Sequence, residues 1–181
     1  MKALPSQAGR AAALVLGLAA AGFAQAQTPT SATINFTGSI KDVPCEIDTS
    51  ATSSTVDLGT NIDIQTLRGG AGKASTPTTF KIVLKGCGAG VAGATLKFSG
   101  TTDTTNNKLL AVSGGAEGIG VQLTDQDGTT PIDIGGGGQA AQLTVDEGNN
   151  TYNFKANYVS TLKDVKPGTA NAVALFALTY K

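Results

Sequence analysis

Cys45 and Cys87 are the only cysteines of the 181-residue sequence, and their thiols are the groups best placed for covalent chemistry. A redox-active thiol pair would be expected at C-x-x-C spacing or beside a histidine, and the chain contains no histidine at all. The compartment decides the alternative. Residues 1–26 read as an export signal: Lys2 and Arg10 give a positive start, a short apolar run follows, and Ala24-Gln25-Ala26 supplies an A-x-A cleavage site. The apolar run is too short to span a bilayer. Gln27, not a cysteine, follows the cut, which argues against a lipid-anchored form. In an oxidising compartment two cysteines form a disulfide, and closing this loop is worth about 4 kcal/mol on the chain-entropy model.

Other residue patterns with chemical potential are weaker. Asp125-Gln126-Asp127-Gly128 begins like a calcium loop, but Thr129 takes the next ligand place and no glutamate follows at the required distance, so it reads as a hairpin turn. The glycine run at 135–138 and Gly118-Ile119-Gly120 lack the full G-x-G-x-x-G pattern and a following helix, which phosphate binding needs. Asn149-Asn150-Thr151 fits a glycosylation sequon and is read as a turn. Without histidine, and with no carboxylate pair standing apart from its turn, neither catalysis nor a metal or cofactor is expected. A Ser–Lys arrangement has no motif behind it.

Composition points the same way. Only 14% of residues are charged, and loss of residues 1–26 takes the net charge from 0 to about −2, which offers nothing to nucleic acid or an anionic membrane. The remaining chain of about 155 residues suffices for one domain with a real core.

The elements that carry these residues alternate with a period of two. Along the stretch 31–40, Ala32, Ile34, Phe36, Gly38 and Ile40 share one face, and Thr33, Asn35, Thr37 and Ser39 the other. On its residues alone, this is a half-buried strand that either joins its own sheet or leaves it. Further strands are expected at 45–48, at Val56, Asp57, Leu58 and Gly59, and at 78–87, where Phe80, Ile82 and Leu84 oppose Lys81 and Lys85. Others follow at 94–98, 109–112, 118–125, 130–134, 141–145 and 151–158, with a helical turn near Ile64 and a turn at Gly148-Asn149-Asn150. The last segment, 171–181, puts Ala172, Ala174, Phe176, Leu178 and Tyr180 on one face and is expected to run as strand to the final residue. Hairpins are expected to connect the strands, and the class is an all-β sandwich of immunoglobulin-like size.

Taken together, these residues resemble the major, type 1-like pilins of chaperone–usher fimbriae over the whole mature chain. The motifs are the alternating arm Thr33-Ile34-Asn35-Phe36-Thr37-Gly38-Ser39-Ile40, the Cys45/Cys87 pair, the strand at 118–125, Tyr152-Asn153-Phe154-Lys155-Ala156-Asn157-Tyr158, the run from Pro167 and Gly168 to Ala172, and the penultimate Tyr180.

The resemblance implies an incomplete immunoglobulin-like sandwich that lacks its last strand and is completed by a donor strand from another subunit. It divides the chain into a signal peptide (1–26), a donor arm (27–40) and a pilin domain (41–181). Ala32, Ile34, Phe36, Gly38 and Ile40 would be the donor face; Ala172, Ala174, Phe176, Leu178 and Tyr180 would flank the acceptor groove and meet the chaperone. Implied partners are a periplasmic chaperone, an outer-membrane usher and further copies of the chain in a head-to-tail polymer at the cell surface. The other reading is a minor or tip subunit, an adhesin binding a host glycan. Physically, a strand added to an open edge gains main-chain hydrogen bonds while alternate side chains fill pockets. Burial of Ile34, Phe36 and Ile40 is worth roughly 5–9 kcal/mol.

Overall fold

The computed structural model describes residues 35–38, 44–135 and 140–181. The expected signal peptide and the donor-face residues Ala32, Ile34 and Ile40 lie outside the described residues. The chain divides into two compact units, Met1–Ser39 and Ile40–Lys181. In the first, the Phe36 side chain is 92% exposed, and a Cβ built on Gly38 would meet nothing within 4 Å.

The second unit is a two-sheet sandwich. One sheet runs β1 (Glu46–Ile47), β2 (Thr78–Cys87), β8 (Gly148–Ser160), β5 (Ile119–Thr124), β4 (Leu110–Ala111), with β6 (Pro131–Ile132) also pairing β5. The other runs β7 (Ala141–Thr144), β3 (Gly93–Ser99), β9 (Leu175–Tyr180). Every pairing of named strands is antiparallel. A 3-10 turn, Ile64–Thr66, is capped by the Asp63 carboxylate, which accepts from the Gln65 amide at 2.9 Å.

Period-two alternation builds the core, because alternate side chains of a strand point to opposite faces. Phe80, Ile82 and Leu84 of β2 face Leu96 and Phe98 of β3 across the sandwich, with Phe154 of β8 fully buried between them. Phe154 stacks on Phe80 with centroids 5.7 Å apart and meets Phe98 edge-on at 5.4 Å; Phe98 also contacts Phe176 at 6.3 Å. Edge-on and offset geometries favour such ring pairs beyond the area they bury. The Cys45–Cys87 disulfide is formed and ties the approach to β1 to the end of β2.

Four expectations need correction. Hairpin-like neighbours account for β1–β2, β4–β5 and β5–β6, but the steps β2 to β3, β3 to β4, β6 to β7, β7 to β8 and β8 to β9 pass between the sheets. This sets consecutive apolar faces against one another instead of side by side. Gly148, Asn149 and Asn150 belong to β8 and are not the turn. The bend comes earlier, where the buried Asn150 amide accepts from the Asp146 N–H at 2.9 Å and donates to its carbonyl at 2.7 Å. Val56, Asp57, Leu58 and Gly59 form no strand, because among the described residues no neighbour pairs with them. The final strand begins only at Leu175 and ends at Tyr180, one residue short of the terminus.

Candidate functional site

The final segment changes sheets. Lys166, Thr169 and Asn171 bridge Glu117, Gly115 and Ser113 beside the first sheet, and from Leu175 the chain pairs with β3 of the second. Between them Ala172, Val173 and Ala174 cross the sandwich. Gly100 permits the crossing: a Cβ there would lie 2.7 Å from the Val173 carbonyl oxygen and 2.5 Å from a Leu110 methyl.

The crossing leaves an open groove of about 1400 Å³. Phe80, Ile82, Val121, Leu123, Ala156 and Tyr158 contribute from the first sheet, Phe98 and Phe176 from the second. One wall is the unpaired stretch from Thr55 to Gly59, whose Val56 and Leu58 pack half-buried against the core. The other is the C-terminal segment from Lys166 to Ala174. β9 is the terminal strand of its sheet, so its second edge carries no partner strand among the described residues. The groove is therefore a core-lined gap between the stretch 55–59, which pairs with no described strand, and the C-terminal segment.

Of the residues expected to flank such a groove, Ala172, Ala174 and Phe176 line it. Leu178 and Tyr180 share the inward face of β9 but pack, half-buried, against the core beyond the lining; the Tyr180 hydroxyl donates to the Cys45 carbonyl at 2.9 Å. Burial pushes the Tyr180 phenol up from its ordinary value. The sequence puts Val56 and Leu58 in one expected strand and Tyr158 at the end of another, and assigns none of them to a site. The alternation held both signals, since each residue sits on a core face that the described residues leave partly open.

Charged groups are sparse in the lining, whose polar side chains are mostly the Thr and Ser hydroxyls of the 49–60 wall. The lining's charged side chains are Asp57 and Lys166, and the Lys166 ammonium is engaged with Glu117 at 2.7 Å. Tyr158 donates its hydroxyl to the Ala170 carbonyl at 2.5 Å. Burial, and then the Asp57 carboxylate, push its phenol up, so it remains protonated and a donor at neutral pH. Among the described residues no group of three or more carboxylate, histidine or cysteine side chains is placed to hold a metal. A groove with an apolar floor and main-chain edges beside it suits an extended peptide: backbone bonds to the edges and alternate side chains into the floor.

The fimbrial protein family model matches residues 34–181. The chain is similar to the fimbrial subunit type 1 of Salmonella typhimurium, 35% identical over 178 residues covering 93% of this chain and 95% of that one. It is also similar to a type-1 fimbrial protein, A chain, of Escherichia coli: 35% identical over 163 residues, covering 85% of this chain and 86% of that one. Among solved structures, a type I fimbria protein and antigen of Burkholderia pseudomallei is 49% identical with a TM-score of 0.57, covering 81% of this chain and 96% of that one. The P pilus rod subunit PapA shares the fold at a TM-score of 0.63 with 24% identity, covering 77% and 100%. The chain belongs to the fimbrial protein family.

Proposed function

We propose that the chain is a structural pilin that polymerises head to tail into surface fimbriae by donor-strand exchange, as the resemblance seen in the sequence implies. The observation that carries this is the open groove beside the unpaired edge of β9, lined by side chains of both sheets. Residues 27–40 of a second copy are the occupant, with Ala32, Ile34, Phe36, Gly38 and Ile40 toward the groove. Their period matches that of the floor, and the arm carries no charged side chain to desolvate. Such a contact joins different surfaces on the two copies and does not close on itself, so it makes a filament. An unfilled groove is also an aggregation-prone edge. A periplasmic chaperone covering it against Ala172, Ala174, Phe176, Leu178 and Tyr180 before an outer-membrane usher exchanges it for the arm is the route consistent with that hazard. Export behind residues 1–26 places assembly outside the cytoplasm.

The test is thermal unfolding of a chain truncated to residues 41–181, with and without a synthetic peptide of residues 27–40. Instability alone and a sharp rise in melting temperature with peptide are expected. Equal stability in both conditions would sink donor-strand assembly.

A further inference from the structure

The three tyrosines of this chain share one habit. Each donates its hydroxyl to a main-chain carbonyl on a segment that its own strand does not pair with. Tyr152 of β8 reaches Thr144 at 2.8 Å, Tyr180 of β9 reaches Cys45 at 2.9 Å, and Tyr158 of β8 reaches Ala170 at 2.5 Å. Only the third bond has both ends in the lining of the groove.

Tyr158 also stands at a junction: its ring packs against the main core and against the smaller cluster of Leu67, Ala116, Ile119 and Val165. The main-chain ties of the wall run to the segment 113–117 and not to the floor: the Ala116 amide donates to the Thr169 carbonyl at 3.1 Å, and Lys166 and Glu117 exchange bonds at 3.0 and 3.2 Å. Asn171 exchanges main-chain bonds with Ser113 at 2.8 and 2.9 Å, and the next ladder begins four residues later at Leu175. A phenylalanine at 158 would bury the same ring, so what the hydroxyl adds is the bond to Ala170. Among the described residues no ladder joins floor to wall here, and the Tyr158 side chain links β8 to this wall directly.

We propose that Tyr158 is a positioning residue for strand capture: its bond to the Ala170 carbonyl fixes the spacing between groove floor and C-terminal wall, holding the empty groove at the width an incoming strand needs. This role rests on the donor-strand reading above. It differs from general bracing because Tyr152 makes a comparable bond outside the groove.

That pair supplies the test. The full chain and its Tyr158→Phe and Tyr152→Phe variants are mixed with a fluorescent peptide of residues 27–40, and the association rate is followed by anisotropy alongside urea unfolding of each protein. Losing one hydroxyl–carbonyl bond that pre-forms the groove should slow capture by about five-fold in Tyr158→Phe, with no change in Tyr152→Phe. Amide exchange at Asn171 should rise in Tyr158→Phe alone. Equal capture by wild type and Tyr158→Phe, or equal slowing in both variants, overturns the proposal, as does a Tyr158→Phe chain that fails to fold. Absence of capture by the wild-type chain sinks the donor-strand reading itself, and is distinguished by being common to all three proteins.

Discussion

The strands β2 and β9 both border solvent along one edge, and they treat that edge in opposite ways. Beside β2, once β1 has ended, the chain continues as a covering strap. The Asp48 amide donates to the Val83 carbonyl at 2.8 Å, the Ser53 amide to the Lys81 carbonyl at 2.9 Å, and the Val83 and Lys81 amides donate to the Thr52 and Ser53 hydroxyls at 3.0 and 3.1 Å. Beside β9, no described strand or strap takes up the outer edge. Open edges template association, and proteins normally blunt them. Side-chain hydroxyls do the blunting at β2, within a Thr/Ser-rich run that composition alone would mark as featureless loop. Among the described residues, then, one edge is covered by hydroxyls and the other is left open.

Perturbing the strap tests that contrast. Replacing both Cys45 and Cys87 by alanine cuts the anchor at the start of the strap and should cost about 4 kcal/mol, read as the urea unfolding free energy. An unchanged free energy would mean that the strap holds without its bridge. Thr52→Val keeps the shape but leaves the buried Val83 amide unpaired, for a loss of about 1–2 kcal/mol. Amide exchange should then rise at Val83 without altering β9, and a rise shared by both edges would contradict their independence.

The smallest effect is electrostatic. Asp48 turns the strap: its carboxylate accepts from the Ser50 hydroxyl at 2.6 Å and from the Ser50 and Ala51 amides. The Ser50 hydroxyl, chiefly, holds its pKa below the ordinary carboxylate value. A depressed folded-state pKa contributes stability above the unfolded-state value, lost as pH falls through the folded-state one. The denaturation midpoint should therefore fall slightly more for wild type than for Asp48→Asn as pH is lowered from neutrality through the carboxylate range. Parallel curves would remove Asp48 from the strap's stability.

The alternation of apolar residues made much of this molecule legible before any coordinates. β2, β3, β5, β7 and β9 lie within or against the stretches whose alternation marked them, and the Asp127-Gly128 turn joins β5 to β6 as its residues indicate. Periodicity tells which face of a strand is buried, but not what lies beside it. That is why Val56 and Leu58 passed for an ordinary strand when they are an inward-facing segment without a partner. It is also why the crossing at 172–174 was invisible, since it depends on space left by Gly100, distant in sequence. Asn150 shows a third limit: in sequence Asn-Asn beside glycine signals a turn, yet its amide caps the preceding bend from within β8.

The unpaired segment around Val56 and Leu58 has a thermodynamic corollary. If the ladder that would satisfy it comes from another molecule, the native state is a bound state, and stability becomes a matter of mass action. Each tenfold rise of free strand above its dissociation constant adds about 1.4 kcal/mol. Such a protein has no single melting temperature. It has a family of them, indexed by concentration, and the polymer is the limit in which every subunit finds its ligand already tethered to a neighbour.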